Sequence, residues 1–248
     1  MRIFTGQAAI SAIAIGKLRF CSHASRPLTR WSTLSPDAEL ERFHQAQRSC
    51  LRTLAKLHDQ AAAQVGRENA SIFAIYSMLV EDGDYEDTVH SHIVERGLTA
   101  EYAVFLSGEK FASTFDAMED EYMRARAADV RNVRTHLIHE LLGYEEPDLL
   151  GDEPAILVDN EFTPSQTVQL DRGRTIALVA RQGSVSSHAV ELASAMHIPA
   201  AVQMDLPREL DGHLAILDGF DNRLYVDPTT EIFAMVEEKA AARYYAVK

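Results

Sequence analysis

Between residues 35 and 143 apolar side chains recur at intervals of three and four, the spacing of one face of an α-helix. Ser35, Pro36 and Asp37 supply a cap, a proline at the first helical position and an acidic first turn. Leu40, Phe43, Gln47, Cys50, Leu51, Leu54, Leu57 and Ala61 carry the stripe onward, and Gly66 closes it after about thirty residues. A second helix, Glu68 to Val80, presents Ile72, Phe73, Tyr76 and Leu79, then breaks at the turn sequence Glu81-Asp82-Gly83-Asp84. A third spans Tyr85 to Glu95 and ends at Gly97. Thr99 caps a further start, from which one periodicity continues through Phe105, Phe115, Met118, Val133 and Leu137 to Leu142-Gly143. No strand pattern interrupts this region, so it reads as an all-helical bundle with short connections.

The flanks follow a different rhythm. Ile3-Phe4, Ala8 to Ile15 and Leu18 to Phe20 read as strands. Tyr144 to Glu153 is acidic, contains Pro147 and suits a linker. Beyond it strands and helices alternate: a strand at Ala155 to Asp159, a capping box at Thr163-Pro164-Ser165-Gln166 and a strand at Thr175 to Ala180. A short helix opening at His188 and stopped by Pro199 comes next, then a strand at Ala200 to Met204. His213 to Leu217 and Arg223 to Val226 form a hairpin, and a last helix starts at Thr229 and is still running at Lys248. The expected architecture is an α/β domain made of residues 1–25 and 144–228, with an inserted helical domain at 26–143 and a C-terminal helix at 229–248.

Composition narrows the class. Hydrophobic residues make up 46% and charged residues 25%, as in a soluble globular protein. No run of eighteen apolar residues is present, and the apolar Ile3–Ile15 stretch is interrupted by Thr5, Gln7 and Ser11, so the expectation is a cytoplasmic protein without membrane span or leader. The net charge of −13 is spread over both halves, which argues against nucleic acid and suits a basic protein partner. Cys21 and Cys50 lack metal-ligand spacing, and Cys50 falls on an apolar stripe. His136 and His139 lie three apart on a helix without an evident third ligand, so no metal site is assigned.

The stretch that carries chemistry is Gly183-Ser184-Val185-Ser186-Ser187-His188. A strand runs into a small polar loop that delivers His188 to a helix start, with Ser186 and Ser187 as capping residues. Free backbone amides at a helix N-terminus favour an anion, and a neutral imidazole there is able to take a phosphoryl group as a nucleophile. The plainer reading makes His188 a polar residue in a βα turn.

Ser187-His188, Ala193 and Pro199-Ala200 resemble the phosphohistidine signature Gly-Gly-x-Thr-Ser-His-x-x-x-x-Ala-Arg followed by Leu-Pro-Ala, found in phosphotransfer enzymes that use phosphoenolpyruvate. Asp120-Glu121-Tyr122 with Arg126-Ala127-Ala128-Asp129-Val130-Arg131 is similar to a bundle signature of the N-terminal half of Enzyme I, the phosphoenolpyruvate-protein phosphotransferase of the bacterial sugar phosphotransferase system. Pro164-Ser165-x-Thr167 and Ile216-Leu217-Asp218…Val226-Asp227-Pro228-Thr229 also match, so the resemblance spans nearly the whole chain.

That resemblance implies a phosphoryl group passing from phosphoenolpyruvate through His188 to the small carrier protein HPr. It implies catalytic roles for Ser187 and for Thr167, whose hydroxyl would hold the unphosphorylated imidazole. It also implies an HPr-binding face containing Arg126, Arg131, Met78, Tyr76 and Phe73. For the two arginines, the competing account is a solvated helix face paired with Asp129 or Glu121. Phosphoenolpyruvate and Mg²⁺ would be held by a C-terminal barrel that lies outside these residues, with no cofactor bound by this chain. Ile10-Ser11-Ala12 replaces Ser-Pro-Gly, Ser184 replaces the second glycine, and Val185 and Ser194 stand where the family it resembles usually has arginine. The alternatives are the phosphohistidine domain of a pyruvate phosphate dikinase-like enzyme and a non-catalytic HPr-docking module.

Overall fold

The computed structural model describes residues 1–22, 27–144 and 153–246. The chain separates into two compact units, residues 1–22 with 153–246, and residues 27–144. The boundary expected at 25/26 and most of the linker at 144–153 lie outside the described residues.

The helical unit contains α1 (Pro36–Val65), α2 (Arg67–Val80), α3 (Gly83–Val94), α4 (Ala100–Asp116) and α5 (Glu121–Leu142). Side chains of Ser35, Asp82, Thr99 and Asp120 each accept a first-turn amide at the starts of α1, α3, α4 and α5. Gly66 caps the end of α1, and Gly143 takes the left-handed conformation at the end of α5. The periodicity read as continuous from Thr99 to Leu142 is therefore two helices. It breaks at Ala117, and Asp120 starts a new cap, so the apolar phase persists while the backbone turns. Buried Glu39 fastens the start of this unit: it accepts from Ser32 Oγ, from Arg42 and from the backbone N–H of Ala100, while Arg42 also reaches Glu101 at 3.0 Å.

The α/β unit contains β1 (Arg2–Thr5), β2 (Gln7–Ala8), β3 (Ile13–Phe20), β4 (Ala155–Asp159), α6 (Pro164–Val168), β5 (Thr175–Ala180), α7 (His188–Ala195), β6 (Ala200–Val202), β7 (Leu214–Asp218), β8 (Arg223–Val226) and α8 (Thr230–Ala246). They form one sheet in the order β1-β8-β7-β3-β4-β5-β6-β2, with β3, β4, β5 and β6 parallel to their neighbours in that run. The remaining pairings are antiparallel.

The two edge strands are separated in sequence by Gly6 alone, so their ends lie within about 7 Å and the sheet rolls until its edges meet. Gly6 is the seam: its N–H donates to the Asn222 carbonyl beside β8, and a Cβ there would lie 2.4 Å from the Val202 carbonyl oxygen on β6. Alternate side chains including Leu18, Ile156, Val158, Val179, Leu217 and Leu224 fill the interior. On the outer face, Ile216 and Tyr225 pack with Ile232, Phe233 and Val236 of α8.

Closure also corrects the strand expected at Ala8 to Ile15. β2 must pair with β6 while β3 pairs with β4 and β7. The chain crosses between those positions at residues 9–12, which form no ladder.

Candidate active site

The carboxyl ends of parallel strands are where α/β sheets gather their chemistry, and β5 ends there in the loop to α7. Arg181 N–H donates to the Asp159 carbonyl and Gln182 N–H to that of Asn160, which continues the β4–β5 ladder into the loop. Gly183 follows with φ +96°, a left-handed conformation that glycine adopts without strain. Ser184 and Ser186 hydroxyls pair at 2.9 Å, and the Ser187 N–H closes a turn onto the Ser184 carbonyl. Ser187 Oγ accepts the Val190 N–H and caps α7 by itself, so His188 becomes the first helical residue and is half-buried. Ser186, expected to share the cap, is instead engaged with Ser184.

The stop of α7 also differs from expectation. His197 takes φ 58°, the Ile198 N–H returns to the Ala193 carbonyl, and the His197 N–H returns to that of Ser194. This is a Schellman turn built on histidine in place of glycine, completed before Pro199 is reached.

Helix α6 packs against α7. Its capping box is present, with Thr163 and Gln166 bonding reciprocally. Thr167 is fully buried, and its hydroxyl donates to the Thr163 carbonyl at 2.9 Å, which commits its proton and leaves the oxygen as an acceptor. Between β5, β6 and the head of α7 is a recess of about 10 Å³, lined by Ala180, Gly183, Ser187 and Val190 among others. Space for one water is no pocket for a substrate.

Cys21, at the end of β3, has its thiol pushed up to about 12 by burial foremost and then by the Asp159 carboxylate, so it stays protonated at neutral pH. His136, in the helical unit, is lowered to about 4 by burial and then by His139, which keeps its ring neutral. Among the described residues no group of three or more His, Cys, Asp or Glu is placed to hold a metal ion, and no helix is long and apolar enough to cross a membrane.

The partner-binding residues divide. Met78 is 70% exposed on α2. Phe73 and Tyr76 are fully buried, which corrects their assignment to a contact face: they pack edge-on at 6.2 Å in the core. Tyr76 Oη donates to Asp129 Oδ1 at 3.2 Å and accepts from Asn132 Nδ2 at 3.0 Å. Asp129 Oδ2 takes Arg126 at 2.9 Å, so the arginine is held from below by a buried polar chain. Arg131 pairs with Asp116 at 2.5 Å and approaches Glu109 at 3.7 Å, half exposed. Leu79, Phe111 and Phe115 pack around the small cluster Ala112, Ala127 and Val130 beside this helix pair.

The sequence reading missed Gln203. Its amide Nε2 donates to the Gly183 carbonyl at 3.2 Å from a backbone with φ 60°. A glutamine after a short apolar strand carries no local mark of such a conformation.

Comparison with known proteins adds a second line. Residues 5–126 match the family described as PEP-utilising enzyme, N-terminal, and residues 151–222 match PEP-utilising enzyme, mobile domain. A phosphoenolpyruvate-protein phosphotransferase of Bacillus sp. (strain S) is 31% identical across 98% of this chain and 42% of its own length. That of Bacillus subtilis (strain 168) is 29% identical across 100% of this chain and 44% of its own. The chain thus spans less than half the length of these curated relatives. Among solved structures, the NMR structure of an Enzyme I protein (nEIt) superimposes with a TM-score of 0.74 and 26% identity, covering 97% of this chain and 99% of that one. The N-terminal domain of Enzyme 1 - Nitrogen gives 0.61 and 27%, covering 96% and 99%.

Proposed function

We propose, on the premise that this chain belongs to the PEP-utilising enzymes and corresponds to the N-terminal half of phosphoenolpyruvate-protein phosphotransferases, that His188 carries a phosphoryl group between phosphoenolpyruvate and the carrier protein HPr. The observation that carries this reading is the placement of His188 as the first residue of α7, capped by Ser187 and fed by a loop from the carboxyl end of β5, within the matched mobile domain.

In exchange with HPr the imidazole nitrogen of His188 attacks phosphorus in line. A nitrogen–phosphorus bond forms on His188 as the one on the carrier histidine breaks, and the departing imidazole takes up the proton that His188 gives up. First-turn amides of α7 favour the arriving negative charge. The Thr167 hydroxyl oxygen is the acceptor that would orient the ring before transfer, a role its donation to Thr163 leaves open. Little covalent chemistry is asked of the protein beyond alignment and electrostatic support.

Met78, Arg126 and Arg131 form the proposed HPr contact, with Phe73 and Tyr76 beneath it as support. Charging from phosphoenolpyruvate would need the C-terminal barrel of the longer relatives, where Mg²⁺ would neutralise phosphate charge. A cytoplasmic location is part of the same proposal.

The test is to mix the protein with phosphorylated HPr and look for acid-labile, base-stable phosphate. Label on the wild type and none on His188→Ala is expected. Binding of HPr without label would replace this reading with a docking module, and label surviving in His188→Ala would place the phosphate elsewhere.

A further inference from the structure

The exit from β6 is shaped by an unfavourable residue choice. Gln203 follows Val202 with φ 60°, a left-handed conformation in which glycine and asparagine are at home and glutamine is not. The turn there lets the Met204 N–H reach back to the Ala180 carbonyl at the end of β5. Beneath it, Gly6 presses so close that a Cβ would lie 3.1 Å from the Gln203 carbonyl oxygen and 2.4 Å from that of Val202. The backbone is thus fixed by its neighbours, and a side chain is carried at a position where none is needed for the turn.

That side chain crosses from β6 to the loop that opens α7, where its amide donates to the Gly183 carbonyl at 3.2 Å. Backbone bonds to Asp159 and Asn160 anchor the start of the loop, and the Ser187 cap anchors its end. Gln203 holds the middle, at the glycine whose φ of +96° turns the chain toward His188.

We infer that Gln203 is a positioning residue that fixes the Gly183 carbonyl and thereby the placement of His188 for phosphoryl transfer. Strain retained beside a site is the expected signature of such a role. The inference rests on the phosphohistidine reading of His188.

Two substitutions separate positioning from folding. Gln203→Gly removes both the amide and the awkward conformation, while Gln203→Asn suits a left-handed backbone but is one methylene too short to reach Gly183. Both are compared with wild type for exchange with phosphorylated HPr, thermal unfolding and amide relaxation dispersion over residues 183–188. The expected result is a maximal exchange rate at least about tenfold lower in both, because small misplacements of reacting groups carry large rate losses. The HPr concentration at half-maximal rate stays unchanged, the melting temperature holds or rises, and slow exchange appears in the loop amides. Unchanged rates overturn the inference, as do rates that fall only in step with melting temperature. A wild-type protein that takes no phosphate defeats the functional reading alone. The dispersion arm then still decides: loop amides as quiet in the variants as in wild type overturn the positioning role.

Discussion

Replacing Tyr76 with phenylalanine deletes one oxygen from the middle of the buried chain Asn132–Tyr76–Asp129–Arg126. Asp129 loses a donor at 3.2 Å but keeps Arg126 at 2.9 Å, while Asn132, partly buried, loses its acceptor at 3.0 Å. A hydrogen bond to a charged group contributes about 1.5–3 kcal/mol, and here the carboxylate is only half-stripped, so a loss of about 2 kcal/mol is expected. The single tryptophan, Trp31, is 58% exposed in the helical unit with the Arg30 guanidinium 4.8 Å over its ring, so its fluorescence reports that unit's unfolding. With a urea slope of about 1–2 kcal/mol/M, the midpoint should fall by about 1–2 M with the slope unchanged.

A pH series sharpens the test. Burial, and then the Asp129 carboxylate, raise the Tyr76 phenol well above its ordinary value of 10.0. The unfolded phenol ionises first, so this residue's stabilisation is whole below about pH 10 and declines by about 1.4 kcal/mol per pH unit above it. Phenylalanine lacks that term, so the gap between the two proteins should close near pH 11–12. A midpoint shift below about 0.3 M at pH 7, or a gap that widens in alkali, would refute the reasoning.

Two further outcomes follow from the site and the seam. Val185 is 37% exposed in the His188 loop, at the position where the family that the loop resembles usually has arginine, so Val185→Arg should fit without repacking and raise the rate of exchange with HPr by about tenfold through charge-assisted contact with the phosphoryl oxygens. A rate that stays flat would mean the loop points this position away from the reacting group. Gly6→Ala would place a Cβ 2.4 Å from the Val202 carbonyl oxygen and 2.5 Å from Met204 Cγ, closer than packed atoms come. Overpacking against backbone costs about 1–3 kcal/mol, so calorimetry should show the α/β unit melting several degrees lower, and an unchanged melting temperature would show that the seam can shift.

What the sequence disclosed and what it hid have physical reasons. α1 was legible because its start, stripe and stop are all local: Ser35-Pro36 at one end, Gly66 at the other and apolar spacing between. The Thr163–Gln166 capping box and the β7–β8 hairpin announced themselves in the same way. The break between α4 and α5 did not, because Ala117-Met118-Glu119 contains neither glycine nor proline. The resemblance gave Tyr76 to a contact face, and its place on the apolar stripe could not correct that, because the spacing is the same whether the hydroxyl faces water or Asp129; only the packing of α5 decides. The left-handed turns at His197 and Gln203 were illegible, since neighbouring elements impose them on residues without a preference for them. His188 was found through a motif, while one anchor of its loop, Gln203, comes from the exit of β6 fifteen residues later in the chain.

The seam at Gly6 has a bearing on how the molecule comes into being. Residues 1–8 precede the rest of this unit in the chain, yet β1 and β2 pair with β8 and β6, which are synthesised only after the whole helical unit. Until those strands are made β1 and β2 have no ladder to join, and a chain halted before β8 would expose β7 along one edge and leave β1 unpaired. Such open edges are sites for pairing with other chains. Within this unit the first strands in the chain are therefore the last to find their partners, and its protection against strand exchange is complete only when the β7–β8 hairpin has formed.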